Sequence, residues 1–161
     1  MFDRFGEFDS AQEINEAAAA QLAEGDTEAV YAIAEENGID AEEADDFING
    51  DVGELTTPLM AALGKLDLEE AELKPRDIMA DWLEIIRVRC QEDSRMAAAV
   101  RKKGKSLEGC YGALLRWSYE NSHEVDKRII RAAGIRAGRI TDGTPGTARA
   151  KQIITEYYLG K

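Results

Sequence analysis

The sequence predicts an all-α protein of about eight or nine helices. Three observations predict it. Apolar residues recur at three- and four-residue spacing in almost every segment. Capping residues and glycine stops punctuate those segments. No alternating apolar–polar run demands a sheet.

Ser10 and Glu13 have capping-box spacing and open a helix over 11–23, with the small-residue run Ala17–Ala20 and a stop near Gly25. Asp26 or Thr27 caps a second helix to about Asn37, striped by Val30, Ile33 and Ala34. Gly38 stops it. Asp40 opens a short helix that ends at Asn49-Gly50. This hairpin is no DNA reader, because Glu42, Glu43, Asp45 and Asp46 on its second helix repel phosphate. Thr57-Pro58 starts a fourth helix with Leu59, Met60, Leu63 and Leu66. Residues 67–73 read as a short acidic helical turn or connector, and composition shifts across 67–74.

Pro75 is expected to open the strongest helix, with Ile78, Met79, Trp82, Leu83, Ile85, Ile86 and Cys90 on one broad stripe. Asp93 or Ser94 caps the next, which runs from Met96 into Arg101-Lys102-Lys103-Gly104-Lys105. Ser106-Leu107 begins a helix to about Tyr119. A further helix is expected over 124–133, a glycine-rich loop over 134–146, and a last helix over 147–158. The expected organisation is an acidic N-terminal helical region, residues 1–70, and a C-terminal helical core with a basic face, residues 71–161.

Composition excludes several classes. At 161 residues and 44% apolar content the chain can bury a core. No apolar run approaches the roughly 20 residues of a membrane span. The first residues show no signal-peptide pattern, and two cysteines make no disulfide framework, so a reducing cytoplasm is the expected compartment. Charge is uneven. Residues 1–60 hold 17 acids and one base, whereas residues 95–139 hold 11 bases and four acids. A general nucleic-acid binder is expected to be basic overall, and a net charge of -12 favours a basic protein partner instead.

No catalytic or metal site is expected, and no cofactor. Gly104-Lys105-Ser106 suggests a phosphate loop, but the motif's first glycine position holds Ala99 and the preceding pattern is helical. Cys90 and Cys110 fall on apolar faces as structural thiols, and His123 reads as a cap or surface residue. The acidic pairs lack the alternation of a calcium loop. Among the aromatics, Trp82, Trp117, Tyr111, Tyr119, Tyr157 and Tyr158 are mostly core candidates at helical spacing, with Tyr158 and Tyr31 the ones expected to be most exposed. Lys127, Arg128, Arg131, Arg136 and Arg139 join Arg101, Lys102, Lys103 and Lys105 in one basic face if their helices pack together, and are otherwise ordinary surface charge or paired with the acidic N-terminal region.

Four stretches carry a family resemblance: the opening Met-Phe-Asp-Arg-Phe-Gly-Glu-Phe-Asp-Ser; Glu54-Leu-Thr-Thr-Pro-Leu-Met-Ala-Ala-Leu-Gly with Lys65-Leu66; Ala97 through Arg-Lys-Lys-Gly-Lys-Ser-Leu to Cys110; and the ending Ile153-Ile-Thr-Glu-Tyr-Tyr-Leu-Gly. Together they resemble the PcfK-like family of conjugative and mobile elements. One branch of that family is classed as anti-CRISPR proteins that inhibit the type II RNA-guided nuclease. The resemblance implies an element of origin and a partner, the type II effector alone or with its guide RNA, and no active site. An acidic helical protein suits the positively charged channels of such an effector. Glu35, Glu36, Glu42, Glu43, Asp45 and Asp46 are the expected partner-facing surface. Arg101, Lys102, Lys103 and Lys105 are the expected second contact, with guide RNA, DNA or a second copy of the chain. The alternative is a conjugation accessory protein that binds nucleic acid or a transfer protein through its basic face.

Overall fold

The computed structural model describes residues 8–160. Residues 1–7, which carry part of the family resemblance and the signal-peptide reading, and Lys161 lie outside the described residues. The described residues form nine helices and one short ladder. The helices are α1 (Ala11–Ala23), α2 (Thr27–Glu36), α3 (Ala41–Asn49), α4 (Pro58–Leu73), α5 (Ile78–Glu92), α6 (Ser94–Arg101), α7 (Leu107–Glu120), α8 (Lys127–Ala132) and α9 (Thr147–Leu159). The ladder pairs β1 (His123–Glu124) with β2 (Thr141–Asp142), antiparallel. The all-α expectation holds. The chain divides into two compact units between Glu108 and Gly109.

In the first unit, Ser10 Oγ accepts the Glu13 N–H at 3.2 Å. The Glu13 carboxylate returns the favour to the Asp9 N–H at 2.7 Å, one residue before the usual partner. Ile14, Ala18, Ile33, Phe47 and Leu55 then close a core between α1, α2, α3 and the start of α4. The Asn15 amide grips the segment before α4, accepting from the Thr56 N–H at 2.9 Å and donating to its carbonyl at 3.0 Å. The last turn of α2 meets α4 at two glycines. A Cβ on Gly64 would lie 2.5 Å from Asn37 O, and one on Gly38 would lie 2.2 Å from Gly64 O. Gly38 also has φ of 69°, which any side chain would strain.

Residues 67–73 are helical, but as the second half of α4 and not as a separate turn or connector, so the composition shift at 67–74 falls on the end of a continuous helix. These are good helix formers, and the break comes where Lys74 precedes Pro75, since proline disfavours the helical region for the residue before it. Lys74 adopts φ of 48° and Asp77 φ of 56°. Two residues outside the helical region postpone α5 to Ile78, three residues later than Pro75 would suggest. Trp82, Leu83, Ile86 and Cys90 are its buried stripe, and Ile78 and Met79 stay partly exposed. Arg87 ties α5 to α4, reaching Asp67 at 2.8 Å and Glu70 at 3.0 Å, with Glu84 of its own helix at 2.7 Å.

In the second unit, α7 buries Cys110, Tyr111 and Leu114, and α9 buries Ala150, Ile153, Ile154 and Tyr158. The Arg149 guanidinium sits 5.7 Å from the centre of the Trp117 ring. The helix expected over 124–133 is shortened. His123 and Glu124 enter the ladder, and Asp126 caps α8 by accepting the Arg128 N–H at 2.8 Å. Two aromatic expectations reverse. Tyr158 is only 4% exposed because it follows Ala150 and Ile154 at four-residue spacing on the inward face. Tyr119 is 84% exposed, one turn beyond the exposed Leu115.

Candidate functional site: an acidic helical surface

The geometry of the acidic surface follows from the apolar stripes. Val30, Ile33 and Ala34 turn inward from α2, and Ala44 and Phe47 from α3. The carboxylates fall on the other sides of these helices, at differing depth. Glu35, Glu42 and Asp45 are exposed, whereas Glu36, Glu43 and Asp46 are half-buried. None of the six makes an ion pair with a base among the described residues. Tyr31 on α2 donates its hydroxyl to Asp45 on α3 and so fixes the spacing of the two helices. That bond, with some desolvation and the Asp45 charge, pushes the Tyr31 phenol above its ordinary value. Beside it lies a cleft of about 490 Å³, lined by Tyr31, Glu35, Gly38, Ile39, Asp40 and Asp67 among others. Its rim offers three carboxylates around an apolar floor. Asp67 is already engaged by Arg87, so Glu35 and Asp40 are its uncommitted charges. Chemically the cleft suits the stem and head of an arginine or lysine from a partner. Asp40 stands at the N-terminus of α3 without a side-chain capping bond.

The basic run 101–105 lies in the same unit but does not form one surface. Arg101 is 1% exposed, a correction to its expected role as a contact residue. Its guanidinium donates to Asn37 Oδ1 at 2.6 Å, joining the end of α6 to the end of α2. Lys102 and Lys103 are exposed, and Lys105 is half-buried. The turn itself is built from below by two residues to which the sequence alone assigns no such role. Lys65 on α4 donates to Val100 O at 3.0 Å, Lys102 O at 2.6 Å and Lys105 O at 2.5 Å. Glu69, one turn on, accepts the Leu107 N–H at 2.5 Å and so holds the start of α7. A buried ammonium over the open carbonyls at a helix C-terminus meets both the orphaned acceptors and the dipole. The residues before Gly104 are helix α6, not the strand a phosphate loop requires.

Cys90 and Cys110 are both buried, as expected of structural thiols, and burial pushes Cys90 up to about 12. His123 is exposed in the ladder, opposite Asp142. Asp142 accepts the Thr144 N–H at 3.0 Å, which lowers its carboxyl below the usual range. Among the described residues no group of three or more His, Cys, Asp or Glu side chains is placed to hold a metal ion. Among them, too, no helix is long and apolar enough to cross a membrane. No family model matches the chain, and no curated protein or solved structure matches it either.

Proposed function

We propose that the chain is a non-catalytic inhibitor carried by a mobile genetic element, and that it docks its α2–α3 surface in the positively charged channel of a type II RNA-guided nuclease. The observation that carries the reading is the set of exposed carboxylates Glu35, Glu42 and Asp45, without basic partners, beside a carboxylate-rimmed cleft. Such effectors hold the guide–target duplex through its backbone in a cationic channel. A rigid acidic helix pair occupies that channel by presenting charge where phosphate would sit. The shared buried core of Ile33, Ala34, Ala44 and Phe47 holds the pair together, and the exposed Tyr31–Asp45 bond adds one link across it. The family resemblance names the partner, and the mechanism needs no reacting group.

The test is target-DNA cleavage by a purified type II nuclease, titrated with the protein before and after guide loading. Near-stoichiometric inhibition that depends on order of addition is expected. Changing Glu35, Glu42 and Asp45 together to lysine is expected to abolish it with helical content retained. Equal inhibition by that folded variant would overturn the docking surface, and no inhibition of several nuclease orthologues would overturn the function. The alternative of a conjugation accessory protein rests on a different observation, the exposed bases of the second unit.

A further inference from the structure

The second unit carries an excursion that neither the fold nor the acidic surface requires. The chain leaves the ladder at Val125 and returns at Ile140, and the Val125 N–H donates to Ile140 O at 2.8 Å. The root is anchored at Gly143, where a Cβ would lie 2.2 Å from Ser118 O at the end of α7. Between those ends Ile130 is the one side chain in the buried class. Residues 125–140 hold five bases and a single acid, Asp126, on a chain whose net charge is -12. Arg128 is paired with Asp126 at 2.8 Å and Arg139 with Glu124 at 2.8 Å. Lys127, Arg131 and Arg136 are exposed and make no ion pair among the described residues.

We propose that this excursion is a second binding element, which takes the phosphate backbone of single-stranded nucleic acid. Charge complementarity selects phosphate, and four of the five bases are arginines, whose planar fork matches it. Tyr119, at the end of the helix that anchors the root, presents an exposed ring of the kind on which unpaired bases stack. Salt screens the repulsion expected from a net charge of -12, since the screening length is about 10 Å at about 0.1 M. The element contacts phosphates without reading sequence. The inference is independent of nuclease inhibition.

The probe is a fluorescent oligothymidylate, compared with a DNA duplex, each titrated with the 161-residue chain under increasing salt. Three phosphate contacts give an expected slope of about -2 for log affinity against log salt. Changing Lys127, Arg131 and Arg136 to glutamate is expected to flatten that slope and weaken binding at least about tenfold. All three are exposed, so helicity is expected to be unchanged. Arg136→Glu alone is a milder variant expected to remove about 0.7 unit of that slope. Tyr119→Ala is expected to weaken single-strand binding about tenfold and duplex binding little. The Glu35, Glu42 and Asp45 lysine variant is expected to bind the oligonucleotide at least as well as the parent. Absence of binding at low salt, or binding unmoved by the triple reversal, overturns the proposal. So does self-association that the triple reversal abolishes without any oligonucleotide binding, since the excursion would then serve a second copy.

Discussion

Lys65→Met tests whether the basic turn is built on α4. Methionine keeps a flexible stem of similar reach and removes only the ammonium. Three carbonyls then lose a donor: those of Val100, Lys102 and Lys105. The Val100 bond is buried, so its orphaned acceptor costs about 1–3 kcal/mol. The other two lie nearer solvent and regain water, at about 0.5–1 kcal/mol each. Removing the buried charge relieves part of its own desolvation. The expected loss is therefore about 2–4 kcal/mol. Urea unfolding followed by circular dichroism measures it as a lower midpoint at constant slope. Hydrogen exchange supplies the local readout, with faster exchange expected for the amides of residues 102–107. Lys65→Arg is expected to fail as well, because three carbonyls converge on a point charge and a planar fork cannot serve them. A methionine variant within about 0.5 kcal/mol of the parent, with turn amides still protected, would refute the reasoning.

Three further predictions concern packing and protonation. Gly64→Ala is expected to cost more than about 2 kcal/mol, since its Cβ would press on the Asn37 carbonyl. Gly112→Ala on an open face of α7 is expected to stabilise by up to about 1 kcal/mol, and thermal unfolding of the pair separates crowding from chain entropy. The Cys90 thiol, held up at about 12 by burial, keeps its proton in the folded state long after an unfolded thiol, near about 8.5, has lost it. Stability is fully present below the unfolded value and falls by up to about 1.4 kcal/mol per pH unit as pH rises from there toward 12. Subtracting the same pH series for Cys90→Ala isolates the effect, and superimposable series would contradict it.

Much of the helical frame is legible because its punctuation is local. Ser10, Asp26 and Thr57 each accept an N–H from the first turn that follows, and Gly50 closes α3 in the left-handed region. Errors arise where one local signal competes with another. Pro75 is a good first residue for a helix, yet its effect on Lys74 dominates and the start slips to Ile78. The His123–Glu124 ladder was illegible for a different reason, because two residues of strand cannot show alternation.

The basic run shows how a charge pattern misleads about a site. Read as composition, Arg101, Lys102, Lys103 and Lys105 form one patch. Read as a helix, position 101 follows the buried Ala97 by one turn and belongs to the inward face. Lys65 and Glu69 carry the same hidden signal, since they share a stripe with the buried Ala62 and Leu66. A charge on a core stripe is rarely solvated and marks an internal network. Its partners, 35 residues away for Lys65 and Val100, cannot be read from spacing. Once those groups are counted as structure, the surface divides by unit. The chain up to Glu108 has 27 acids and 11 bases, and the part from Gly109 has five acids and nine bases. The proposed acidic docking and the proposed phosphate binding thus draw on different units, so charge reversal on one is expected to leave the readout of the other intact.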